Sequence, residues 1–100
     1  MADYMSKLKS PDMDYLCEAM LSLETIEECY KFIEDIFTIN EIKSVEQRLQ
    51  VAKMLKQKKT YTEIAHETGA STATISRVNK CLNYGSDGYD LVLERIKWEE

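Results

Sequence analysis

Thr72, Ala73, Ser76 and Lys80 recur at helical spacing along one side of a short segment, with Thr74 and Arg77 on its flanks. Those types suit contact with nucleic acid. Short hydroxyls exchange hydrogen bonds with base edges, Ala73 and the Thr72 methyl fit a thymine methyl, and lysines meet phosphate without reading sequence. Arg77 has three uses: reading guanine, gripping a phosphate, or holding the carboxylate of a ligand or partner. Just upstream, Lys53, Lys56, Lys58 and Lys59 form a basic cluster. It suits phosphate contact, and it also suits favourable charge at a helix C-terminus. Candidate contacts read directly from the residues are therefore Ser71, Thr72, Ala73, Ser76, Arg77, Lys80, Lys56, Lys58 and Lys59.

What must position them is a helix-turn-helix over residues 61–82, YTEIAHETGASTATISRVNKCL. Thr60 and Glu63 have the spacing of a capping box, each side chain satisfying a free N–H at a helix start. A short helix follows, Ile64 and Ala65 inward, Ala65 small enough for a close helix crossing. Gly69 stands where the chain must leave that helix with positive φ, which costs little without a Cβ. Ser71 or Thr72 caps a second helix, whose apolar positions Ile75, Val78 and Leu82 share one face.

The rest of the chain reads as all-α, about six helices in one 1–100 domain, near 11–23, 26–37, 39–57, 61–67, 72–82 and 88–98. Ser10 and Pro11 make a helix start with Asp12 at the positive dipole end, and that helix should bury Leu16, Ala19, Met20 and Leu23. Thr25/Glu28 and Thr38/Glu41 are two further candidate capping boxes. The second helix presents Ile26, Cys29, Tyr30, Ile33 and Phe37 on one face. The long third helix turns Ile42, Val45, Leu49 and Ala52 inward, its stripe widened by Val51, Met54 and Leu55. Asn83, Gly85 and Gly88 mark a loop. Ser86 or Asp87 then starts the last helix, with Leu91, Val92, Ile96 and Trp98, the last expected as a core or dimer anchor. Helices over 10–57 and 88–98 carry more apolar surface than the small reading unit can cover. That surplus must meet either a compact bundle within the chain or a second copy of it. A second copy is favoured, since a homodimer with these helices as its dimerisation core presents two reading helices about one DNA turn apart, roughly 34 Å.

Net charge is −5, which looks wrong for a DNA-binding protein until it is resolved along the chain. Residues 1–41 carry −7, residues 42–81 carry +5 and residues 82–100 carry −3. The basic charge is confined to the block containing the helix-turn-helix, and screening makes a polyanion answer to the local face. Such a charge pattern argues against broad coating of nucleic acid, not against a specific site. Cys17, Cys29 and Cys81 are odd in number, lack paired spacing and fall on or beside apolar helical faces, so buried free thiols in a reducing cytoplasm are expected. One histidine and no C-x-x-C argue against a metal; His66 reads as a solvated surface residue. No glycine-rich phosphate loop or nucleophile motif is present, so neither an enzyme nor a cofactor is expected. MADYMSKLK lacks a secretion signal's apolar stretch, and no run approaches the ~20 residues of a membrane span.

RLQVAKML at 48–55 and TEIAHETGASTATISR at 62–77 resemble the Trp-repressor superfamily, and within it the Trp-repressor-like YerC/YecD group. The likeness runs from about residue 10 to the end, with its specific motifs in the second half. It implies an intertwined all-helical homodimer and transcriptional repression through the helix-turn-helix. It also implies groove contacts at Thr72, Ala73 and Ser76, with a position on the preceding helix falling on Thr62. Thr62 stands where the repressor carries a basic residue, so operator preference should differ. Arg48 and Arg77 match the two arginines that clamp tryptophan, and Thr74 a ligand-adjacent threonine. Val78 replaces the glycine that makes room for the indole, and overpacking costs roughly 1–3 kcal/mol. The expectation is a dimeric, sequence-specific DNA-binding repressor, cytoplasmic and not using tryptophan as corepressor. Two alternatives stand beside it: a protein-interaction module on the same fold, or a regulator gated by another small molecule at Arg48, Thr74, Arg77 and Val78.

Overall fold

In the computed structural model, residues 5–96 are described. They form six α-helices: α1 (Pro11–Leu21), α2 (Ile26–Ile36), α3 (Ile39–Lys56), α4 (Tyr61–Thr68), α5 (Thr72–Tyr84) and α6 (Gly88–Arg95). They divide into two units, one holding α1 and α2 and the other α3 to α6. None of these helices is long and apolar enough to cross a membrane.

In the first unit, helix starts follow from capping. Ser10 Oγ accepts from Met13 N–H at 3.0 Å, with Pro11 at the first helical position. α1 stops at Leu21, two residues before the expected end, because the Ser22 hydroxyl and amide both turn back onto Ala19 O. At α2, Thr25 Oγ1 accepts from Glu28 N–H, but the Glu28 carboxylate accepts from Glu24 N–H at 2.8 Å rather than completing a box on Thr25.

Neither helix of this unit buries a residue. The expected interior of α1 is not observed: Met20 is 57% exposed, and Leu16, Ala19 and Leu23 are half-buried. On α2, Ile26 and Tyr30 are mostly exposed and Cys29 is half-buried. A two-helix unit this short has too little surface to cover its own apolar stripes.

The second unit closes on itself. α3 packs against α4, α5 and α6, α4 against α5, and α5 against α6. Its core is Val51, Ala52 and Met54 of α3, Ile64 of α4, Ala70 of the turn, Ile75 and Val78 of α5, and Leu93 of α6. Val51, Ile64 and Ile75 are fully buried, each contributing about 1.5–3 kcal/mol of apolar burial. The inward face of α3 lies in its C-terminal half. Val45, expected inside, is 47% exposed, and Ile42 is half-buried. Ala65 is also only half-buried, and within the helix-turn-helix the buried alanine is Ala70.

α3 ends without a glycine. Lys58 takes φ +68°, its N–H donating to Leu55 O at 3.0 Å while Lys59 N–H donates to Met54 O at 3.1 Å. These paired bonds satisfy the Leu55 and Met54 carbonyls near the helix end, in a conformation that glycine adopts more cheaply. α5 runs on to Tyr84, taking in Asn83, which was expected in the loop. It stops at Gly85, where an added Cβ would lie 2.5 Å from Cys81 O. Asp87 starts α6 at φ +67° with no side-chain cap. α6 ends at Arg95, short of the expected 98, and Trp98 lies outside the described residues. Contrary to the expected burial, Cys17 and Cys81 are exposed; all three cysteines are free.

Candidate nucleic-acid interface

The start of α4 carries a complete capping box: Thr60 N–H donates to the Glu63 carboxylate at 2.8 Å, and Glu63 N–H to Thr60 Oγ1 at 3.1 Å. The backbone bond from Thr60, assisted by the Thr60 side chain, holds the Glu63 carboxyl below its ordinary value of 4.5. A box of this kind fixes where α4 begins, and so where its exposed residues Thr62, Glu63, His66 and Glu67 face.

Between the helices, Gly69 takes φ +74°, and its N–H donates to Ala65 O at 2.9 Å. Thr68 holds the turn on both sides. Its hydroxyl donates to Ile64 O at 2.7 Å and accepts from Ala70 N–H at 3.1 Å. From α3, Gln47 Nε2 donates to Thr68 O at 3.1 Å across twenty-one residues of sequence. Ala70 then drops into the core, and Ser71 caps α5, accepting from Thr74 N–H at 3.1 Å while its hydroxyl donates to Thr74 Oγ1. Of the two capping candidates, Ser71 serves.

α5 is split lengthwise by burial. Ile75 and Val78 face the core, at 0% and 2% exposure, and Leu82 is half-buried. Thr72, Ala73, Ser76, Arg77 and Lys80 are exposed. The core thus grips one face of the helix and leaves the hydroxyl, methyl and cationic groups on the other. Tyr84 extends that outer face and is 84% exposed; reading Asn83 as a loop marker puts it beyond the helix, but α5 continues to its cap at Gly85.

The basic cluster has two parts. Lys58 and Lys59 are exposed at the end of α3. Lys56 instead sits 2.8 Å from Asp90 Oδ1, joining α3 to α6. That hydrogen bond, with the charge of the same carboxylate, holds the Lys56 ammonium above 10.5. A phosphate at Lys56 therefore competes with an internal anion, whereas one at Lys58 or Lys59 does not meet this one.

The residues expected to hold a ligand divide differently. Val78 is in the core, Thr74 is half-buried and bonded to Ser71, and Arg77 is exposed. Arg48 on α3 is half-buried, its Nε enclosed without a hydrogen-bond partner in the chain. Tyr89 of α6 lies near it; burial raises the phenol above 10, opposed by the positive charge of Arg48. An open cleft of about 430 Å³ runs elsewhere, between α3 and α4, lined by Lys43, Glu46, Gln47, Gln50, Met54, Glu67 and Thr68. It includes none of the four expected residues. Among the described residues, no group of three or more His, Cys, Asp or Glu is placed to hold a metal ion.

Residues 11–97 match the family model for Trp repressor protein. The chain is 54% identical over 96 residues to the uncharacterized protein YerC of Bacillus subtilis strain 168, covering 96% of this chain and 92% of that one. Among solved structures, a TrpR-like protein from Eubacterium eligens superposes with a TM-score of 0.85 at 60% identity, covering 89% of this chain and 92% of its own. A provisionally named Trp repressor from Staphylococcus aureus gives 0.85 at 55% identity, covering 89% of each.

Proposed function

The chain belongs to the Trp repressor family, and from that premise we propose that it is a sequence-specific regulator of transcription that binds double-stranded DNA as a homodimer. The family is regulatory rather than enzymatic. The observation that carries the reading is the lengthwise division of α5. Ile75 and Val78 anchor it, and Thr72, Ala73, Ser76, Arg77 and Lys80 are left outward. In this reading α4, with Thr62, lies along the backbone, and α5 enters the major groove N-terminus first. Ser71, Thr72, Ala73 and Ser76 meet base edges or the adjoining phosphates. Lys58, Lys59 and Lys80 position the protein, with Lys56 a weaker contributor because Asp90 already holds it.

Dimerisation is supported by apolar surface that neither unit covers by itself. Leu21, Ile26 and Tyr30 in the first unit, and Ile39, Leu91 and Ile96 in the second, are each at least half exposed. Isolated exposed residues are ordinary, but large apolar residues left uncovered in both units mark surface that associates. The match to the Trp repressor family model supports repression, and Val78 in the core supports a repressor that does not use tryptophan as corepressor.

Selection from a random duplex pool tests the reading. A paired motif with half-sites about ten base pairs apart is expected. Affinity for it should fall with salt at a log–log slope of roughly −4 to −7 for four to eight phosphate contacts. No enrichment at low salt overturns DNA binding and favours a protein-interaction module. One observation favours a second reading, in which a small molecule gates the protein: the enclosed, unpartnered Arg48 Nε suits a carboxylate. A thermal-shift screen of carboxylate metabolites tests it, and a flat response removes it.

A further inference from the structure

We infer that Gln47 is a positioning residue for the reading helix, acting through Thr68. This rests on the DNA-binding reading and goes beyond it, because Gln47 stands on α3, outside the helix-turn-helix. The geometry is a relay. Gln47 Nε2 donates to Thr68 O, the Thr68 hydroxyl donates to Ile64 O, and the same hydroxyl accepts from Ala70 N–H. Ala70 N–H is one residue before Ser71, the cap of α5. The relay therefore ties the last turn of α4, the turn itself and the entry to α5 to a helix anchored in the core by Val51, Ala52 and Met54.

The direction of the bonds matters. Carbonyls at a helix C-terminus lack partners within the helix. Here a neutral amide donor supplies one for Thr68 O, and a hydroxyl serves both Ile64 O and Ala70 N–H. Gly69 would otherwise be the loosest joint between the helices, since its backbone is free of Cβ restraint. Gln47 closes that joint from outside. Base reading depends on where the first turn of α5 sits relative to the groove, whereas phosphate attraction tolerates a small displacement. Loss of the bond should therefore reduce sequence preference while leaving general affinity for DNA intact.

The experiment compares the full chain with three variants on two probes: the duplex recovered by selection and a scrambled duplex of equal length. Gln47→Leu removes the donor and keeps helix propensity. It should lower the affinity ratio between the two probes roughly three- to tenfold, the scale of one hydrogen bond's net contribution. Affinity for the scrambled duplex should stay within about twofold, because the phosphate-facing cations are unaltered. Gln47→Lys should raise affinity for both probes by adding charge, and restore the ratio by donating to the same carbonyl. Gln50→Leu, on the same wall of the α3–α4 cleft, should leave the ratio unchanged.

A second readout follows exchange of the Ala70 and Thr74 amide hydrogens. It should quicken in Gln47→Leu without a matching fall in thermal midpoint. An unchanged ratio in Gln47→Leu, where the parent chain shows clear preference, overturns the inference alone. A ratio lost equally in Gln47→Leu and Gln50→Leu also overturns it. A parent chain that prefers no duplex overturns the DNA-binding reading itself, and the assignment of Gln47 falls with it.

Discussion

Residues 39–96 and residues 5–38 are both helical and both amphipathic, yet only the first set buries anything. α4, the turn and α5 bring Ile64, Ala70, Ile75 and Val78 against α3, so residues 39–96 enclose a hydrophobic core. α1 and α2 have side-chain-capped starts, as α4 and α5 do, but Leu21, Ile26 and Tyr30 remain 64–84% exposed. Local rules thus decide that a helix forms; a facing surface decides whether it is stable. The acidic part of the chain is the part in which none of the described apolar side chains is fully buried. The basic half is the one already rigid enough to hold a row of side chains in register.

The largest expected effect sharpens this contrast. Ile64→Ala removes a fully buried side chain and should cost about 2–5 kcal/mol, independent of protein concentration, in chemical denaturation. Tyr30→Lys alters a residue 64% exposed and should hardly change stability in dilute solution. It should instead abolish the dependence of the thermal midpoint on concentration that the proposed dimer gives the parent chain. A parent midpoint independent of concentration, or a Tyr30→Lys variant as damaged as Ile64→Ala, breaks the contrast between the two halves.

Glycine positions come next. Gly69→Ala places a Cβ at φ +74° with no steric neighbour within 4 Å. Its cost is therefore conformational alone, about 1–2 kcal/mol. Lys58→Gly makes the reverse change at φ +68°, in an exposed C-terminal turn of α3. It should stabilise by up to about 1 kcal/mol, reduced by glycine's extra freedom in the unfolded chain. It also removes a phosphate candidate, so a more stable protein should bind DNA slightly less well. Urea denaturation of the pair checks the signs. Equal signs would mean that backbone strain is not what distinguishes these two helix ends.

That pair also marks how far the sequence could be read. Capping residues at Ser10, Thr60 and Ser71, and Gly69 at the turn, place helix starts and stops by rules that reach only four residues. Most helix limits accordingly fall within two residues of expectation. Lys58 at positive φ carries no such sign, because its conformation is imposed by satisfying the end of α3 and not by its own preference. The Gln47–Thr68 bond and the Lys56–Asp90 pair join residues far apart in the chain. No local pattern encodes them, although Lys56 was legible as a surface cation. Periodicity places inward positions on α1 and the first half of α3, but it identifies an apolar face without saying whether the chain itself covers it. Met20, Val45 and the cysteines therefore lie nearer the surface than the pattern implies. The outward row on α5 was legible for the complementary reason: Ile75 and Val78 define the buried face, and the opposite side follows from helix geometry.

The smallest effect separates two helix starts with the same spacing. At Thr60 and Glu63 the box closes on itself; at Thr25 and Glu28 the carboxylate turns to Glu24 N–H instead. Only the Glu63 bond is tied directly into the reading unit. The Thr60 backbone N–H holds that carboxyl below 4.5. A carboxyl whose value is lowered by folding contributes stability that is complete above its unfolded value. This contribution fades as pH falls through the lower folded value. Glu63→Gln keeps an acceptor for Thr60 N–H but cannot titrate. The parent should therefore have the higher thermal midpoint at pH 7, and its advantage should shrink as pH falls below about 4.5 and onward through the lowered folded value. Because the carboxylate is at the surface, the gap should be small and should narrow further in salt. A gap that stays constant from pH 7 to pH 3 would show that the ionised box does not hold the first turn of α4. The start of α4 would then rest on the Thr60 hydroxyl cap and Ile64 packing, whereas the start of α2 has its Thr25 cap but no buried residue beneath it.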